Sequence, residues 1–313
     1  MNPPWSMIFF TTLVGAAQGL MLALVGIDVA AIVGSVPMPA PGFFLGGAAV
    51  VLLLCAAGLV AAMFHLGRPM RAWRAVLMWR TSWLSREVIV LPVFMVVVAG
   101  WTLAHVLGAP TRALGILAAL LAIGLFVCTG MIYAAVAVIR EWASPLTPLN
   151  FAALGLASGF TLATAVAAFT APQLVAVLAV AALIAMAAGA VTRAASTWRN
   201  ATLRPKTTLQ TAIGVRHPRI VQASQGSMGG SFNTREFFHG VAESMLPRLR
   251  WVVAFAAFVL PAALLALMLW QRVAPSLALV AAVALQYAGL LVERWLFFAE
   301  GKHPQNLYYQ RIG

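Results

Sequence analysis

Eight stretches of this 313-residue chain are each long and apolar enough to cross a lipid bilayer, and that leaves few folds open. A spanning helix needs about 20 mostly apolar residues. The runs fall at about residues 7–34, 43–65, 87–107, 113–138, 149–169, 173–193, 251–271 and 275–298. Hydrocarbon offers no water to exposed backbone groups, so a chain crosses it only as helices or as a closed barrel. Runs of this length read as helices. The expected fold is an all-α integral membrane protein, a bundle of about eight transmembrane helices forming one domain over residues 1–313. A long polar loop at about 194–250 and a tail at about 299–313 lie outside the bundle.

Charge then orients the bundle. Eight spans place both termini on one side, here named side A. Side A also holds the loops at about 66–86, 139–148 and 194–250. The chain carries 20 Lys and Arg, and all but Arg112 and Arg272 fall on side A. By the positive-inside rule, side A is expected to face the cytoplasm across the inner membrane. The net charge of +13 could point to nucleic acid. Its confinement to connections between apolar runs excludes that reading. The opening MNPPWSMIFF has no Lys or Arg and no small-residue cleavage pattern, so the first run is expected to stay in the membrane.

Side-chain chemistry is sparse. Cys55 and Cys128 lie in apolar runs with no second ligand at metal spacing, and read as packed core residues. His65, His105, His217, His239 and His303 form no pair inside the bundle, so no haem is expected. The seven acidic residues avoid the span centres, with Asp28 near side B, and Glu87 and Glu293 near side A. The densest cluster is MFHLGRPMRAWR, residues 63–74. Gly67 and Pro69 break the helix there, and irregular backbone at membrane depth must be buried in protein or line a wet cavity. Glu87, at the head of the next helix, is expected to return near His65 and gather an imidazole, a carboxylate and the guanidinium of Arg68 or Arg71. This set suits a proton-coupled redox site for a quinone. An imidazole titrates near neutral pH, a carboxylate exchanges protons, and a guanidinium stabilises charge developing on an oxygen. The bland alternative is that the arginines anchor the loop in headgroups and His65 caps a helix end.

The stretch Met63–Ala72, MFHLGRPMRA, resembles the HLG-x-PMRA signature of the dimethyl-sulfoxide-reductase anchor (DmsC-like) family. Ser82–Val88, SWLSREV, is similar to that family's segment leading into its third helix, and the tail from Glu293 through Tyr309 is similar too. The resemblance implies a membrane anchor that binds no haem. It docks an iron–sulfur subunit and, through it, a molybdopterin catalytic subunit, and exchanges electrons with the quinone pool. It implies that His65, Arg71 and Glu87 interact with the quinone, with Gly67 at the break in the signature and Arg68 beside it. It also implies docking of the iron–sulfur subunit on loops 66–86 and 194–250. Exported reductases of the family face this loop outward, whereas the charge count places it inside. The sulfite-dehydrogenase (SoeABC-type) subgroup faces the cytoplasm, and FFAEGKHPQNLYYQ, residues 297–310, is similar to it. The expected function is therefore passage of electrons from sulfite oxidation to quinone. A quinol-oxidising reductase anchor is the runner-up, ahead of an anchor that binds no quinone. A transporter would need polar groups at the midplane, where only Gln18 and a few threonines stand.

Overall fold

The computed structural model describes residues 4–64, 66–204, 208–221, 245–271 and 276–302. Eight helices in it are long and apolar enough to span a membrane: α1 (Trp5–Ile32), α2 (Pro41–Met63), α3 (Trp83–Leu107), α4 (Arg112–Ala134), α5 (Leu146–Thr170), α6 (Val175–Thr202), α7 (Met245–Gln271) and α8 (Ser276–Ala299). No strand occurs among the described residues. Each expected run has its helix. The main differences lie at the ends. Polar residues carry α3 back to Trp83 and α6 on to Thr202, because a helix need not stop where the hydrocarbon stops. The expected loop at 194–250 is therefore helical at both its borders. Residues 205–207 and 222–244 of that loop, the tail from 303, Arg272 and His65 lie outside the described residues.

The bundle is built around α1, which packs on α2, α4, α5 and α8. No helical face of α1 is strongly favoured for lipid, in keeping with a centre that is enclosed all round. Its contact with α5 is backbone on backbone. A Cβ on Gly19 would strike the carbonyl of Gly155, and one on Gly159 would strike the backbone of Gly19 and Leu20. Small residues at such crossings let two helices approach without lipid between them, so dispersion and weak polar contacts replace the hydrophobic drive that is absent in a membrane.

Side A is the end where α1, α3, α5 and α7 begin and α2, α4, α6 and α8 finish. There α2 ends at Met63, and a 3-10 turn run follows from Pro69 to Met78 before Ser82 caps α3. Proline at the first position of that run has no N–H to waste. In α7 the chain widens into a π-helix over Ala254–Val259, just before Pro261. Proline lacks an N–H and its ring clashes with the carbonyl four residues back, here Ala257. The wider turn relieves that clash without ending the helix.

The glycine crossing gives a direct test. Gly159→Val is expected to lower the thermal midpoint of the purified chain by overpacking worth at least about 1–3 kcal/mol. Gly124→Ala, in α4 with open space where its Cβ would stand, is expected to leave the midpoint unchanged or slightly raised. Equal midpoints for the two variants would show that the α1–α5 approach does not hold the bundle.

Candidate functional site

The sequence-derived site splits into an inner and an outer part. Glu87 lies one turn into α3, not at its opening, and points into the bundle with 2% of its surface exposed. The hydroxyl of Thr129 on α4 donates to its Oε1. Thr129 also lines a small internal cavity with Thr11 and Gln18 of α1 and the rings of Phe10, Phe126 and Phe151. About 10 Å³ of it is open to the centre of a water, about the least that one water needs. The buried Gln18 Oε1 has no hydrogen-bond partner, and a water in this cavity would supply one. Glu87 itself does not line this mainly apolar cavity and meets it only through Thr129.

Gly67, Arg68 and Arg71 lie on the outer surface, in and just before the 3-10 run. Nothing stands within 4 Å of where a Cβ on Gly67 would be. Arg74 lies over Trp73, Arg80 over Trp79 and Arg86 over Trp83, at 5.5, 5.4 and 4.2 Å from guanidinium carbon to ring centre. Arg86 ties this segment to α3 by donating to the carbonyls of Trp79 (3.0 Å) and Arg80 (2.8 Å). Met70, Trp73 and Leu77 are largely exposed beside these cations. Alternating cations and wide apolar side chains suit the water–membrane boundary or a partner's surface. Among the described residues, no ion pair joins Glu87 to Arg68 or Arg71. The expected gathering is thus not seen among the described residues: Glu87 is buried against Thr129, Gly67, Arg68 and Arg71 are exposed, and His65 lies outside the described residues.

A second polar cluster, which the sequence does not reveal, lies at the same end. Arg193 of α6 bridges Glu293 (3.3 Å) and Glu300 (3.1 Å) at the end of α8. Arg250 of α7 reaches Glu300 at 2.9 Å, and Arg294 reaches Glu293 at 3.2 Å. The Arg294 guanidinium carbon sits 3.8 Å from the Phe151 ring centre. Around it close Tyr133, Trp142, Phe297 and Phe298, with Trp142 Nε1 donating to the Phe297 carbonyl at 2.9 Å. Arg193 and Arg294 therefore serve as internal counter-charges rather than as loop charges that set orientation. The signal that could have found them is an ionisable residue inside an otherwise apolar helix, which by default marks a function or a partner. At side B, Asp28 accepts from Thr111 (2.9 Å) and lies 3.8 Å from His105 Nε2.

This architecture defines a multi-pass helical membrane protein whose polar chemistry gathers at one end. The chain belongs to the DMSO reductase anchor subunit (DmsC) family, whose family model matches residues 1–300. A sulfite dehydrogenase subunit of Allochromatium vinosum is 50% identical to it over 326 aligned positions that cover the whole of both chains.

The Thr129–Glu87 bond carries a prediction. Thr129→Val removes the hydroxyl donor from a buried carboxyl and is expected to destabilise the chain by about 1–3 kcal/mol. Thr129→Ser keeps the donor and should recover most of that loss. Thermal unfolding of the two purified variants checks this. A valine variant as stable as wild type would show that the bond contributes nothing.

Proposed function

We propose that this chain is the membrane anchor of a sulfite dehydrogenase complex, and that electrons from the complex reach a membrane quinone at side A. The single observation that carries the reading is full-length 50% identity to a protein named as part of a sulfite dehydrogenase. Membership of an anchor family supports it. In this reading the molybdopterin and iron–sulfur groups belong to partner subunits, and no molybdenum chemistry occurs in this chain. The iron–sulfur subunit docks on loops 66–86 and 194–250, outside the bundle domain. Side A and both termini face the cytoplasm, as the confinement of Lys and Arg to that side supports. Arg193 and Arg294 are internally paired and drop out of that count, but the asymmetry survives without them.

The residues present fit a quinone head. Such a ligand has an apolar ring and tail with two oxygens that need a proton source and a hydrogen-bond donor. Gly67 leaves open surface next to the end of α2. Arg68 and Arg71 stand at that surface and can hold a ring oxygen or neutralise charge gathering on it. Glu87, buried at the same end of the bundle and held by Thr129, is assigned the storage and passing of a proton. His65, from the same signature, is assigned the second proton-handling role. When bound, the quinone takes up the two electrons and two protons of each turnover.

The family description also accommodates an anchor that oxidises quinol for an exported reductase. A twin-arginine export signal on the catalytic partner would favour that alternative, and its lack would favour the cytoplasmic sulfite enzyme. The decisive experiment uses the native complex carrying His65→Ala or Glu87→Gln. Sulfite-driven quinone reduction is expected to fall by about a hundredfold or more, the scale of a lost acid–base group. Sulfite oxidation with a soluble acceptor should stay at wild-type rate, which reports intact assembly. Unchanged quinone reduction by both variants would remove these residues from the reaction.

A further inference from the structure

A wide cavity lies away from Glu87, on the outer side of the bundle between α6 and α7. The two helices pack together along Ala254–Val259 and Leu260–Gln271, then part toward side A, where Met245–Val253 leans on α8 instead. The opening left between them is a groove of about 660 Å³, within the usual range of about 300–1,000 Å³ for ligand sites. Its walls are apolar, and the π-helix supplies Ala254, Phe258 and Val259. Its upper end holds two guanidinium groups, Arg193 and Arg250. Trp198 and Trp251 flank it with 74% and 67% of their surfaces exposed.

Depth, charge and rim agree on an occupant. From Arg250 to Val259 the helix rises at most about 14 Å, the value at the α-helical rise of about 1.5 Å per residue, since the π-turn is wider and shorter. One leaflet of hydrocarbon is about 15 Å deep, half of about 30 Å. Exposed tryptophans at one end of such a groove mark the headgroup level. Among the described residues the charges at that end do not cancel. Arg193, Arg250 and Arg294 pair there with Glu293 and Glu300, three positive charges against two negative. Arg250 is half exposed and gives Nε and Nη2 to Glu300, so its Nη1 has no partner among the described residues. A guanidinium in that position favours a phosphate oxygen. An uncharged quinone head would leave the excess charge in place.

We propose that this groove binds one anionic phospholipid of the side A leaflet, with its phosphate at Arg250 and an acyl chain along the π-helix down to Val259. The lipid neutralises the buried ionic cluster and seals the gap where α6 and α7 part. The proposal is independent of the quinone reading, since it involves neither Glu87 nor the 66–86 segment.

The test is native mass spectrometry of the full chain released from micelles containing phosphatidylglycerol, with phosphatidylcholine in parallel. Wild type is expected to retain one phosphatidylglycerol and to favour it over phosphatidylcholine. Arg250→Gln should weaken retention about tenfold, the scale of one charge-assisted hydrogen bond. Arg248→Gln, exposed on the same helix and outside the groove lining, should not weaken it. Ala194→Trp fills the groove without touching any ion pair, and should abolish retention while the chain stays folded by circular dichroism. The proposal is overturned if Ala194→Trp retains the lipid. Equal retention of the two lipids would also overturn it, as would displacement of the lipid by a short-chain quinone.

Discussion

A charge held between helices in a membrane must find its counter-charge inside the protein, and this constraint organises the side A half of the bundle. Desolvation of an isolated carboxylate or guanidinium costs more than any single contact returns, so such groups survive in clusters. Glu293 on α8 and Glu300 just past its end are matched by Arg193 from α6 and Arg250 from α7. Removing one partner would leave a buried charge unmatched. These pairs fix which helix ends meet, and with them where Arg294 lies against the aromatic cluster of Tyr133, Phe151 and Phe297.

Against that background Glu87 stands apart. Asp28 has His105 and Thr111, and the carboxyls of α8 have arginines. Among the described residues, Glu87 is the buried carboxyl with a hydroxyl partner and no basic side chain in ion-pair range. An intramembrane ionisable group of this kind is by default a candidate for function. The contrast separates a cluster of paired charges from a buried carboxyl that no basic side chain matches among the described residues. The two lie at the same end of the molecule. The stiff α1–α5 crossing at Gly19 and Gly159 passes through the middle of the bundle that carries both.

Much of this was legible in the sequence. The eight spans followed from apolar length alone, whereas α2 ends at Met63, ahead of the break expected at Gly67 and Pro69, and Pro69 opens the 3-10 run. The inward turn of Glu87 was not legible, because the face of α3 that meets α4 is set by how the helices pack and not by hydropathy along the chain. The ionic cluster was also hidden. Arg193 and Glu300 are 107 positions apart, and hydropathy shows that each is polar but not that they meet. The arginines of α6 and α8 read as orientation charges because polarity at a helix end looks the same whether it faces water or a partner. The α6–α7 groove could not be read at all, since it arises from the divergence of two helices that are each ordinary in composition.

If quinone meets the protein at side A, it does so between the Gly67 surface and the buried Glu87. Photo-cross-linking of the native complex with an azidoquinone, followed by peptide mapping, locates that meeting point. Labels are expected on peptides that span residues 64–87 or the Thr129 turn of α4. Labels confined to the opposite end, around Asp28 and His105, would refute a side A site.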